Sequence, residues 1–142
     1  MNNQSLLCPT NGMQGKPVKL STVKSMLTFE ALAHVEPSQA FFFCPDSSCR
    51  TVYYSASQTF VTRDIRVKVF QKDTEEDVPV CYCFGWTRAM LNTQADNSAI
   101  SAPTEIRNHI KANRCACDLR NPQGVCCLGN VENHIRSRQG DL

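Results

Sequence analysis

Nine cysteines in a chain of 142 residues carry most of the chemistry this sequence can do. They stand at Cys8, at Cys44 and Cys49, at Cys81 and Cys83, at Cys115 and Cys117, and at the adjacent pair Cys126 and Cys127. This is several times ordinary usage, yet below the level of a pure disulfide scaffold. The opening Met1-Asn2-Asn3-Gln4-Ser5-Leu6-Leu7-Cys8-Pro9 has no basic start and no long apolar stretch. It predicts no secretory signal, and therefore a cytoplasmic protein in a reducing compartment where lasting disulfides are uncommon. An odd cysteine count also suits paired disulfides poorly. Metal ligation is the chemistry expected of these thiols.

The first constellation is Cys8, Cys44 and Cys49. Cys44 and Cys49 enclose four residues, a spacing that lets one turn present both sulfurs to one ion. Cys8 opens Cys8-Pro9-Thr10-Asn11-Gly12, a knuckle-like turn in which the glycine frees the backbone. Three thiolates suit zinc, which takes four ligands in a structural site. The partner expected three residues after Cys8 is missing, because Asn11 stands there. Asp46, Asn11, His34 and water are the candidates for the fourth place. The competing reading makes Cys44 and Cys49 buried thiols or a disulfide. His34, His109 and His134 are each read as ordinary surface or capping histidines.

The second constellation begins at Val80-Cys81-Tyr82-Cys83-Phe84-Gly85-Trp86-Thr87. A Cys-x-Cys pair at the mouth of a helix can hold one iron of an iron–sulfur cluster, with backbone N–H groups and the positive helix end facing the sulfurs. Tyr82, Phe84 and Trp86 are placed to restrict water. A second iron needs two more thiolates. Cys115, Cys117, Cys126 and Cys127 are all candidates, arranged around an Asn121-Pro122-x-Gly124 turn. Adjacent Cys126 and Cys127 project differently, so one of them is expected to bind. Arg88, Lys111, Arg114 and Arg120 are candidates to offset the negative charge of such a cluster. Spacing alone does not separate this site from a second zinc.

These thiols need elements to position them. In the first half Val18–Leu20 predicts a short strand and Ser21 the cap of a helix over 22–27. The runs Phe41-Phe42-Phe43 and Val52-Tyr53-Tyr54 predict strands flanking the cysteine turn. The alternation of Ile65, Val67 and Val69 predicts a further half-buried strand. The acid-rich stretch 71–79 reads as a solvated connector. In the second half a helix is expected just after Cys83, running through Met90 and Leu91. Another is expected from Pro103, with Ile106 and Ile110 on one face, and a last one from Asn130.

Composition sets limits. Fifteen basic against thirteen acidic residues give a net charge of +2, which argues against an electrostatically driven nucleic-acid binder. No apolar run approaches a membrane span. No Ser/His/Asp grouping, phosphate loop or paired carboxylates stand out, so the chain reads as an electron carrier or metal-handling accessory more than as an enzyme.

Several segments together resemble a known family. Cys8-Pro9-x-Asn11-Gly12, Phe43-Cys44-x4-Cys49, Val52-Tyr53-Tyr54, Cys81-Tyr82-Cys83-Phe84-Gly85 and Asn121-Pro122-x-Gly124-x-Cys126-Cys127-Leu128-Gly129 stand in the order seen in the N-terminal domain of CopZ-type copper chaperones. The resemblance spans about residues 8–131. It implies a mononuclear zinc site and a 2Fe–2S cluster with a redox role in copper handling. By that likeness the cluster ligands are Cys81, Cys83, Cys117 and Cys127, with Cys115 and Cys126 in reserve. The Met-x-Cys-x-x-Cys copper-binding domain that follows in full-length chaperones has no counterpart in these 142 residues.

The resulting expectation is an α+β protein. A small zinc ribbon-like β module (1–70) and a connector (71–79) precede a helical, ferredoxin-like 2Fe–2S module (80–142). It would transfer one electron at a time and meet a redox partner or a copper-transport protein, with Cu(II) reduction suggested by analogy alone. The rival readings are a zinc-only interaction protein and a thiol-rich Cu(I) buffer.

Overall fold

In a computed structural model, residues 6–96 and 101–140 are described. A four-stranded antiparallel sheet in the order β1-β2-β3-β4 occupies the first half: β1 Lys16–Val18, β2 Phe41–Phe43, β3 Thr51–Tyr54 and β4 Thr59–Val61. Helices α1 (Leu20–Met26) and α2 (Phe29–Leu32) lie between β1 and β2.

Alternation along the central strands explains why their residues are buried without exception. Phe41, Phe43, Val52 and Tyr53 join a core with Val23, Met26 and Leu27 of the α1 region, and with Phe60, Ile65 and Val69. Phe42 and Tyr54 point the other way and stack at 5.5 Å, in a second cluster with Cys8, Cys44 and Cys49. Successive strand residues face opposite sides, except at the bulge between Thr51 and Tyr53, where Val52 joins the same core as Tyr53. One sheet face therefore carries the main core and the other carries the first cysteine group.

The second half starts with a hairpin, β5 Pro79–Cys81 and β6 Trp86–Thr87. Helices α3 (Arg88–Asp96), α4 (Ala102–Lys111), α5 (Cys117–Arg120) and α6 (Leu128–Gly140) follow. Ser101 caps α4 by accepting from the Thr104 N–H. Val80, Leu91, Ala102, Ile106 and Val131 form this half's core around Cys81 and Cys127.

Several expected elements lie elsewhere. The strand expected at Val18–Leu20 is Lys16–Val18, and α1 starts at Leu20 with Lys19 as its N-cap residue, so Ser21 is inside the helix. The segment Ile65–Val69 is not a strand. Ile65 makes one isolated bridge to Leu27, and Arg66 donates its N–H to the Met26 carbonyl at 2.7 Å. Ile65 and Val69 are buried and Val67 is half-buried, as alternation requires, but the segment closes the end of α1 instead of extending a ladder. The helix expected after Cys83 begins only at Arg88. Gly85, at φ +75°, closes a hairpin turn that pairs Trp86 with Cys81. The final helix begins at Leu128, two residues before Asn130. A hairpin with helices is what surrounds the second cysteine group, and a ferredoxin-like module is not evident in it.

The stretch 71–79 is anchored. Arg88 donates to the carbonyls of Phe70 (2.7 Å), Asp73 (2.5 Å) and Glu75 (3.1 Å), with its guanidinium 4.4 Å from the Phe70 ring centre. Lys72 donates to the Asp46 carbonyl at 2.8 Å. The two halves meet elsewhere too. Tyr53 Oη donates to the Pro122 carbonyl, Thr22 Oγ1 to the Asp118 carbonyl at 2.5 Å, and Gln71 Nε2 to Gln123 Oε1 at 2.5 Å.

Candidate metal centres

Cys8, Cys44 and Cys49 form the first centre. All three are buried, at 1%, 0% and 6% exposure, and their sulfurs lie within 4.8 Å of one another. The chain reaches this arrangement by local means. The Cys8 carbonyl accepts from the Gly12 N–H at 2.7 Å, closing the knuckle, and Gly12 takes φ +73°. Cys44 follows β2 and donates its N–H to the Val52 carbonyl at 2.9 Å. Cys49 returns over a turn closed on the Asp46 carbonyl at 3.2 Å. Burial opposes ionisation of Cys8, but the Asn11 and Thr10 N–H groups outweigh it and hold the thiol below its ordinary value. Burial wins at Cys44 and raises it.

The candidates for a fourth ligand separate. Neither Asp46 nor His34 belongs to the three-sulfur group. Asp46 is occupied by the Ser48 N–H and hydroxyl and by Asn11. Its pKa is lowered first by that Ser48 N–H. His34 is exposed beyond α2. Asn11 is beside the site: its Nδ2 donates to Cys44 Sγ at 3.4 Å and to Asp46 Oδ2 at 3.0 Å. In this arrangement Asn11 supports a ligand and ties the knuckle to the turn.

The second centre gathers Cys81, Cys83, Cys117 and Cys127. Cys83 Sγ lies 3.5 Å from Cys117 Sγ, and the Cys127 thiol hydrogen-bonds with both Cys81 and Cys117. Among the described residues, the first centre is the only set of three metal-binding groups within 4.8 Å of one another, so these four sulfurs are drawn out rather than gathered about a point. Cys81 and Cys127 are buried, while Cys83 and Cys117 are half-buried. The Cys127 hydrogen bond lowers Cys81 to about 7 and Cys117 to about 6, whereas burial raises Cys83 to about 12. Cys127, hydrogen-bonded by both neighbours, is raised.

The N–H donors expected at these sulfurs are present, supplied by the hairpin turn and by the residue that precedes α5. Phe84 and Cys83 donate to Cys81, and Ala116 donates to Cys83 Sγ at 3.1 Å. Cys115 and Cys126 are exposed. Arg88 is committed to backbone carbonyls and is not a charge partner of the cysteines. Sequence reasoning also missed the stack of His109 on Phe84, whose ring centres are 4.2 Å apart, because nothing in the spacing of residues 84 and 109 signals it.

A sheet bearing three buried cysteine thiols on one face, joined to a second cysteine-lined half, defines a small thiolate metal-binding protein of α+β class. Residues 5–66 match the CopZ-type family described as a zinc binding domain. The chain is 34% identical over 92 residues to the copper chaperone CopZ of Archaeoglobus fulgidus, a match covering 65% of this chain and 44% of that protein. It thus spans less than half the length of that relative. The X-ray structure of the CopZ N-terminal domain from the same organism is similar at a TM-score of 0.76 and 29% identity, covering 90% of this chain and 96% of that one. In sequence and in fold the chain is thus similar to a CopZ-type N-terminal zinc domain. Among the described residues, no helix is long and apolar enough to cross a membrane.

Proposed function

We propose that the chain is a zinc- and 2Fe–2S-binding protein that exchanges single electrons in copper handling. Cys8, Cys44 and Cys49 hold the zinc in this reading, with water in the fourth place, and Cys81, Cys83, Cys117 and Cys127 hold the cluster. The observation that carries it is the second thiol group. Four cysteines from two distant segments converge without disulfides, with backbone N–H groups on Cys81 and Cys83. Four thiolates are the donor set such a cluster takes. A tetrahedral zinc would draw its sulfurs about one point, with each near 2.3 Å from the metal. The extended arrangement of Cys81, Cys127, Cys117 and Cys83 fits two metals better. Cys83 and Cys117 lie 3.5 Å apart and Cys127 neighbours both Cys81 and Cys117, so all four thiols are within reach of one shared cluster.

When bound, the cluster supplies a one-electron couple. The protein keeps two of its ligands dry through Cys81 and Cys127 and donates hydrogen bonds to the sulfurs, which sets the potential. The copper context comes from the similarity to the copper chaperone CopZ. Metal and sulfide analysis of anaerobically purified protein tests the reading. The expected result is a reddish-brown protein with about two irons, two acid-labile sulfides and one zinc. A colourless protein holding zinc alone would refute it. Copper bound in several equivalents without displacement of iron would favour a Cu(I) buffer.

A further inference from the structure

We infer that the exposed ridge from Lys111 to Arg120 is the docking face for an acidic protein that exchanges one electron with the second centre. The inference rests on the electron-carrier reading above.

Of the four thiols there, Cys83 and Cys117 are the half-exposed pair, so that side of the site is nearest to solvent. Two segments cover it. The hairpin turn carries Phe84 directly after Cys83, and His109 of α4 stacks on that ring. Arg114 holds the imidazole through a 3.1 Å contact of Nη1 with Nδ1. From the end of α4 the chain runs through Lys111, Arg114 and Cys115 to Cys117, then to Leu119 and Arg120. Residues 111–115 and 119–120 are exposed.

The ridge has the sign of charge a docking face needs. Lys111, Arg114 and Arg120 make no ion pair among the described residues. The one acid within it, Asp118, faces Lys19 at 3.9 Å. Arg107, one turn earlier, is neutralised by Glu132. Three unpaired cations therefore crowd one edge of a protein whose net charge is only +2. Leu119, next to Arg120 in this stretch, is 46% exposed and offers an apolar contact beside the charge. Such a field steers an oppositely charged partner and raises its encounter rate. A partner seated there lies against the half-exposed side of the site, where tunnelling distance is shortest. The transfer balances simply. With a reduced cluster bound, one electron would leave an Fe(II)–Fe(III) pair to give two Fe(III), and the acceptor would gain that electron. No bond to the protein breaks and no proton moves.

The test uses dithionite-reduced holoprotein mixed with ferricyanide, an anionic one-electron oxidant. It compares Lys111→Glu/Arg114→Glu with Lys24→Glu/Arg63→Glu, which makes the same charge change on exposed residues of the zinc-bearing half. The ridge variant should lose roughly tenfold in oxidation rate at low ionic strength, with the loss vanishing in high salt, and the other variant about twofold or less. A readout independent of turnover is the redox-inert anion hexacyanochromate(III). It should broaden the EPR signal of the reduced native protein and of the Lys24/Arg63 variant, but not that of the ridge variant. Equal rate losses in both variants, or broadening that survives in the ridge variant, would overturn the docking face while leaving the cluster's spectrum intact. A protein without the iron–sulfur spectrum would sink the electron-carrier reading and this inference together.

Discussion

Asn11 occupies the place where a zinc knuckle would carry a second cysteine, and the structure turns that departure into a support. Its amide reaches both Cys44 Sγ and Asp46, joining the two segments that hold the three thiols. At the second centre, neighbouring thiols differ because each has a different partner. Cys117 is a thiolate near neutral pH because Cys127 hydrogen-bonds to it, while burial keeps Cys83 protonated. The lowered thiols, Cys81 and Cys117, stabilise the metal-free fold above their unfolded values near 9, and that contribution is lost as pH falls through about 7 and about 6. Raised Cys83 contributes in the opposite sense, below its unfolded value, and loses that contribution as pH rises through about 12. Iodoacetamide labelling of reduced, metal-free protein at pH 7, read by peptide mass spectrometry, should mark Cys117 well before Cys83, although both are half-buried. Equal labelling of the two would contradict this ordering.

At the level of elements, the strands around the first cysteine turn were legible in the sequence. Aromatic runs at Phe41–Phe43 and Thr51–Tyr54 can be buried on both sides only in a sheet covered on both faces. The hairpin at Cys81 was not legible, since a Gly-containing turn before a helical stretch can equally belong to a helix start. What decides it is pairing between Pro79–Cys81 and Trp86–Thr87, a contact no local pattern encodes. The loop between Cys117 and Cys127 depends on a similar fit. Gly124 sits at φ +80°, and a Cβ there would lie 2.9 Å from Val18 Cγ2 and 3.2 Å from Thr22 Oγ1. Gly124→Ala should therefore lower stability by about 1–3 kcal/mol through strain alone, with the clash against α1 adding to it. Gly12→Ala shares the positive φ but has no atom within 4 Å, so it should cost less. Urea unfolding of the two variants checks the order, and a larger loss at Gly12 would show that the contact with Val18 and Thr22 does not matter.

For the molecule as a whole, hydrogen bonds tie the stretch expected as a zinc module to the stretches expected as a connector and a cluster module. The loop bearing Cys117 and Cys127 is held from the zinc side by Thr22 and Tyr53. The turn bearing Cys81 and Cys83 is held by Tyr82, whose hydroxyl donates to the Lys68 carbonyl at 2.5 Å and accepts from the Phe70 N–H at 2.9 Å. Lys72 fastens the connector to the Asp46 turn beside the first centre. Removing zinc should therefore loosen both halves. Amides of Asn121 and Gly124, bonded to the carbonyls of Cys117 and Asn121, should exchange hydrogen faster once a chelator strips the zinc. Unchanged protection there, beside a melted sheet, would mean that the halves are independent.

The sequence by itself determined that thiols are the reactive groups most abundant here, which cysteines stood close enough in the chain to share a turn, and where the aromatic strands lay. These follow from side-chain type and short spacing, which a linear pattern records. Only the tertiary structure decided that Asn11 braces Cys44, that Cys83 faces Cys117 instead of sharing a site with Cys81 alone, and that His109 lies on Phe84. Those relations depend on how distant segments approach, and that approach is fixed by burial of the two cores and by the hydrogen bonds between them.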